Sequence, residues 1–126
     1  MVGHVPIVGH DRYVATMSIS AQDLARRASD AFAQIVGEKP AGVWSAPGRV
    51  NIIGEHTDYN AGLCLPIALP QRTYAAAAGR ADGLLCVTSL AEGLGGEPTV
   101  VPVSEISWEQ PGGWAGYVAG VVWALR

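Results

Sequence analysis

No apolar run in this sequence reaches the roughly 18 residues that a membrane-spanning helix needs. Charge is also scarce: 8 basic and 11 acidic side chains among 126 residues leave a formal net charge of −3. The basic residues are scattered, and Arg26-Arg27 is their only adjacent pair. A chain without a basic stripe has no electrostatic footprint for nucleic acid or for an anionic membrane surface. Cysteine is limited to Cys64 and Cys86, both in apolar, strand-like segments. They read as small buried hydrophobes rather than a disulfide, because no secretory leader argues for oxidation. Residues 1–17 lack the basic start and unbroken apolar stretch of a signal peptide. These absences predict a soluble, cytoplasmic protein. Hydrophobic residues make up 49% of the chain, which argues against disorder and gives one domain a core to build on.

Periodicity divides the chain into a leader and a structured part. Residues 1–17 show no sustained pattern; His4 and His10 there read as part of a flexible leader, and Met17 is an alternative start. From Ser20, a plausible N-cap with Gln22 and Asp23 in the first turn, the spacing is helical. Leu24, Ala28, Ala31 and Ile35 share a face with Phe32 beside it, and Gly37 and Pro40 stop the helix. Strand-like runs follow at 43–53, 63–69, 72–78, 84–89 and 99–103. Turn residues separate them at Asn60-Ala61-Gly62, Ala81-Asp82-Gly83 and 93–97, where Gly93-Leu94-Gly95-Gly96 reads as a hairpin turn. Pro66 inside a run suggests an edge or a bulge. Short hairpin-linked strands with little helix between them predict an α+β fold, a mainly antiparallel sheet with helices on one face. A last helix is expected over 113–125, with Trp114, Val118, Val121 and Leu125 on one face. Gly116 and Gly120 lower its propensity and suggest a close neighbour.

The chemistry concentrates in residues 46–60, where Arg49, Glu55, His56 and Asp58 fall within ten positions. The apolar stripe Val50, Ile52 and Ile53 leads into them, which reads as a buried strand delivering polar side chains to a site at its end. Ionised Glu55 and Asp58 are acceptor-only, while a neutral His56 offers one donor and one acceptor. Hydroxyls of a polyhydroxylated ligand both donate and accept, so this mixture can read several positions at once. The structural alternative for Arg49 is an ion pair with Glu55 that fixes the strand end. The Glu-His-x-Asp spacing fits no common zinc pattern, so no metal is expected here.

Ala46-Pro47-Gly48-Arg49, then Glu55-His56-Thr57-Asp58-Tyr59-Asn60 with Gly62 and Leu65-Pro66, closely resemble the galactokinase signature of the GHMP small-molecule kinases. The similarity continues through Leu69-Pro70 and Tyr74-Ala75-Ala76 to Trp114, Tyr117 and Gly120-Val121. The resemblance implies a GHMP-kinase N-terminal domain, incomplete over 18–126, behind a flexible leader or mis-assigned start at 1–17. It implies ATP-dependent phosphorylation of α-D-galactose at the anomeric hydroxyl, giving galactose 1-phosphate. It assigns Glu55, His56 and Asp58 to galactose hydroxyls, with the Thr57 main chain or side chain nearby. Arg49 is the implied transition-state stabiliser, since phosphoryl transfer is mostly positioning and electrostatics. Trp114 and Tyr117 match positions lining the adenine pocket, although aromatics three apart on an apolar helix also read as plain core.

The family's glycine- and serine-rich phosphate loop has no counterpart here, and its catalytic aspartate lies beyond the matched region. By resemblance, ATP and Mg2+ are the cofactors, with their main ligands beyond Arg126. The missing downstream part of the same kinase is an expected partner. The chain thus reads as the first part of a kinase, inactive alone. Two alternatives from other classes are a non-catalytic galactose sensor on the same fold and a non-functional truncated gene product.

Overall fold

A computed structural model of the chain describes residues 19–91 and 97–126 and the backbone of 2–8, with Asp58 described by its backbone alone. The expected leader residues 9–17 and the turn at Gly93-Leu94-Gly95-Gly96 lie outside the described residues.

Ser20 opens the first helix, α1 (Ala21–Val36): its Oγ accepts a hydrogen bond from the Asp23 amide at 3.1 Å. Gly37 closes it in the left-handed region at φ 85°, where glycine carries no Cβ penalty. Leu24, Ala28 and Phe32 are buried as a stripe, but Ile35 is exposed and Val36 packs in its place.

Five strands form one mixed sheet in the order β2-β3-β1-β4-β5. They are β1 (Val2–Val8), β2 (Gly42–Ile53), β3 (Leu65–Arg80), β4 (Leu84–Ser89) and β5 (Thr99–Pro102). Val2–Val8 is therefore not leader: its backbone runs antiparallel to β3 and parallel to β4. Its ladder with β3 passes from His4 to Ile7 without pairing Pro6, which has no N–H to give. Local periodicity does not reveal such a strand, because its partners lie some 70 to 80 residues away in sequence.

The runs expected at 63–69 and 72–78 are one strand, β3, which continues through Pro70 and Gln71. The irregularity appears instead as a register shift: Pro47 pairs with Arg72, but Arg49 pairs with Ala68. Pro66 sits opposite Asn51, beside a second shift between Asn51 and Ile53 and past the end of the β1 ladder. It is thus at both an edge and a bulge. At the turn after β3, Gly83 takes φ 74° and its carbonyl accepts from the Val103 amide at 2.8 Å.

Two apolar clusters make the core. Leu24, Ala28 and Phe32 of α1 pack on Tyr74 and Ala76 of β3. Leu85 and Val87 of β4 pack with Ile106 and with Ala119 of the last helix, α2 (Ala115–Ala124). Ala78 and Cys86 both pair with His4 and so share a sheet face, the α1 face, since Ala78 packs with that cluster. Leu85 and Val87 alternate with Cys86 and point the other way. The helices therefore cover opposite faces, not one, and β4 is buried on both sides from Leu85 to Ser89, as its nearly unbroken apolar sequence allows.

The α2 face that packs also differs from expectation. Ala115 and Ala119 are buried, and Val118 and Val122 pack beside them, while Val121 and Leu125 are exposed. Two alanines one turn apart let the helix backbone approach the sheet more closely than bulky residues would. A Cβ on Gly116 would stand 2.7 Å from the Pro111 carbonyl oxygen, so close approach is real there; at Gly120 nothing lies within 4 Å. Among the described residues no helix is long and apolar enough to cross a membrane.

Candidate functional site

Beyond the cover of α1, the β2–β3 hairpin projects as a two-stranded ribbon ending in the loop 54–64. The expected buried stripe is absent on this ribbon: Val50, Ile52 and Ile53 are exposed, as are Leu63, Leu65 and Ile67. The α1 core cluster reaches β2 and β3 only at Val43, Tyr74, Ala76 and Ala78, so this end of the ribbon lies beyond its cover. Cys64, expected to be buried, is an exposed free thiol just outside β3; Cys86 is buried and also free.

The loop folds because the chain crosses itself at Gly54. A Cβ there would stand 2.6 Å from Cys64 Cα and 2.7 Å from the Leu63 carbonyl oxygen, and φ is +103°. Only glycine fits both demands. Thr57 ties the crossing together: its Oγ1 lies 2.5 Å from the Gly54 carbonyl oxygen and 2.9 Å from that of Leu63. One hydroxyl proton serves these two acceptors in turn. The Thr57 carbonyl accepts from the Asn60 amide at 3.0 Å and the Gly62 amide at 2.7 Å, closing a short 3-10 turn over Asp58–Asn60. A Cβ on Gly62 would stand 2.8 Å from Thr57 Cβ. The Thr57 side chain is thus spent on holding the loop.

His56 and Ala61 both take positive φ, 65° and 57°, which is uncommon for residues with a Cβ. The Asn60 side-chain amide holds the first of these by donating to the His56 carbonyl at 2.7 Å. The His56 Nδ1 and the Tyr59 hydroxyl form a hydrogen bond, with the rings edge-on at 5.7 Å between centroids. Glu55 and His56 are consequently presented to solvent on a backbone that is fixed at several points.

Arg49 stands on β2 opposite Ala68, next to the first register shift. Four residues of strand, about 13 Å of rise, separate it from Ile53. It is exposed, and the Arg49–Glu55 ion pair does not form; the ion pairs among the described residues are Arg26–Asp23 and Arg80–Asp82. Between Arg49 and the loop, the Asn51 amide oxygen is buried without a hydrogen-bond partner among the described residues. Asn51 was not singled out from sequence; a lone amide inside Val-Asn-Ile-Ile was the available signal.

Trp114 and Tyr117 lie elsewhere. Trp114 packs against the β4–α2 cluster, and β4 itself lies three strand spacings, about 14 Å, from β2 across the sheet. Tyr117 is 85% exposed on α2. The structure brings Glu55 and His56 together on one loop and does not bring the two aromatics to it. No group of three His, Cys, Asp or Glu side chains that could hold a metal ion is found among the described residues.

Comparison with known proteins puts this loop inside a defined segment. Residues 30–79 match the galactokinase galactose-binding signature. The chain is 42% identical over 103 residues to a galactokinase of Streptomyces coelicolor, covering 82% of this chain and 26% of that one. It is 45% identical over 84 residues to a galactokinase of Mycobacterium tuberculosis, 66% of this chain and 22% of the relative. With human galactokinase the identity is 44% over 106 residues, 79% and 26% respectively. Over most of its length the chain is similar to galactokinases, and it spans about a quarter of the length of these relatives.

Proposed function

We propose that this chain carries the galactose-reading part of a galactokinase, a cytoplasmic enzyme that transfers the γ-phosphoryl group of ATP to the anomeric hydroxyl of α-D-galactose. The observation that carries the reading is the loop 54–64. It lies within the matched galactose-binding segment, and its backbone is locked at Gly54, Thr57 and Asn60 so that Glu55 and His56 face outward.

In this reading Glu55, His56 and Asp58 exchange hydrogen bonds with sugar hydroxyls, while Thr57 holds the loop that presents them. A hydrogen bond to a charged group is worth about 1.5–3 kcal/mol. A misplaced hydroxyl leaves such a group unpaired, and this is how the site rejects an epimer. Arg49 brings a guanidinium without an ion-pair partner among the described residues, suited to stabilising charge on the phosphoryl group in flight. Trp114 and Tyr117 are proposed for the adenine side, and ATP brings Mg2+ that residues outside this chain hold. The test is a chimaera of residues 1–126 with the remaining part of the Streptomyces coelicolor relative. It is expected to phosphorylate galactose in an ATP-dependent manner; a folded chimaera that binds ATP but leaves galactose unmodified would contradict the reading.

A further inference from the structure

The residue that decides what His56 can offer a ligand is Tyr59. The two are three positions apart: Tyr59 belongs to the short 3-10 turn Asp58–Asn60, and His56 precedes that turn in a left-handed backbone conformation. Their contact joins the phenol oxygen to His56 Nδ1, leaving Nε2 as the imidazole atom available to a ligand. The His56 backbone does not drift away from this arrangement, because its carbonyl is held by the Asn60 side chain at 2.7 Å.

A neutral imidazole carries one N–H and one bare nitrogen, so the phenol contact has two possible directions. The bare nitrogen is a strong acceptor, and the phenol O–H is a better donor than an imidazole N–H because its charge delocalises into the ring. The opposite direction pairs the weaker donor with a phenol oxygen whose lone pair is partly withdrawn. The phenol therefore donates to Nδ1, and the imidazole proton sits on Nε2.

We propose that Tyr59 is a positioning residue that locks His56 as the Nε2–H tautomer, so that His56 is the hydrogen-bond donor of the sugar-reading loop. The role in sugar reading rests on the function proposed above; the lock itself does not. Its consequence is a balance of donors and acceptors. Ionised Glu55 and Asp58 can only accept. A ligand hydroxyl that gives its proton to one of them still has lone pairs to satisfy, and Nε2–H supplies the donor. With the other tautomer, all three residues would be acceptors and the hydroxyl would be left half-paired.

The test is long-range proton–nitrogen NMR of the imidazole nitrogens in the 126-residue chain, at a pH where imidazole is neutral, with His56 assigned by His56→Gln. The expected result is a pyrrole-type Nε2 and a pyridine-type Nδ1 for His56. In Tyr59→Phe, which keeps the ring and removes the hydroxyl, the ratio of Nε2–H to Nδ1–H should fall about 2- to 10-fold, the range given by one net hydrogen bond. A wild-type His56 that is mainly Nδ1–H overturns the proposal, whatever the variant does. So does an unchanged ratio in a folded Tyr59→Phe. Galactose added to the same wild-type sample is expected to shift the Nε2 signal. Should it shift nothing while Nε2–H predominates, the sugar reading falls and the tautomer lock stands.

Discussion

The Thr57 hydroxyl lies 2.5 Å from the Gly54 carbonyl oxygen, and it reaches the Leu63 carbonyl from the same position at 2.9 Å. The two ends of the site loop are thereby tied by one side chain, at the point where a Cβ on Gly54 would strike Cys64. Thr57→Val keeps the shape and removes the hydroxyl, leaving both carbonyls short of a donor. It should cost about 1 kcal/mol of stability in denaturant unfolding. It should also speed amide exchange at Asn60 and Gly62, whose N–H groups bond the Thr57 carbonyl. Thr57→Ser, which retains the hydroxyl, should stay close to wild type on both measures.

At the turn between β3 and β4, Asp82 accepts twice from Arg80, and also from the Leu84 amide at 3.2 Å. The hydrogen bonds from Arg80, its largest influence, hold the Asp82 carboxyl at about 2, below its ordinary value of 3.8. A carboxyl with a lowered folded-state pKa stabilises the fold above its unfolded value and loses that contribution as pH falls through the folded one. The stability difference between wild type and Asp82→Asn should therefore be constant above about pH 5 and shrink between about pH 4 and 2. Urea unfolding across this range measures it; a difference that does not vary with pH would exclude the linkage.

Much of this fold was legible because it is locally encoded. The Ser20 cap, the Gly37 stop, the Ala81-Asp82-Gly83 turn and the strand at 84–89 each follow from residues within a few positions of one another. What escaped reading depended on distant partners. Val2–Val8 is a strand through pairings with residues 74–80 and 86–89. The face of α2 could not be read because the helix is apolar nearly all round, and packing at Ala119, with Val118 and Val122 beside it, decided it. In the site, the Asn60-Ala61-Gly62 turn between two strand-like runs was legible, and Glu55 and His56 lie on the loop that contains it. The inward direction of the Thr57 hydroxyl was not readable, since threonine serves equally as a ligand contact or a backbone tie. Nor was the exposure of Val50, Ile52 and Ile53, whose pattern fits a buried strand.

Arg49 should separate from the loop residues in kinetics. In the chimaera with the Streptomyces coelicolor relative, Arg49→Ala is expected to lower kcat by roughly 10³-fold, as loss of an arginine acting on a transferring phosphoryl group does. The KM for galactose should change far less, because the interaction strengthens only at the transition state. A variant with normal kcat and a raised KM would make Arg49 a binding residue instead.

The account stands most directly on whether the loop reads the sugar. In the same chimaera, Glu55→Ala and Asp58→Ala should each weaken galactose binding by about 1.5–3 kcal/mol, with ATP affinity unchanged. Titration calorimetry with each ligand in turn makes the measurement on wild type and both variants. Loss confined to galactose is the predicted result. Equal losses for galactose and ATP, or none for either, would contradict the assignment of this loop to sugar recognition.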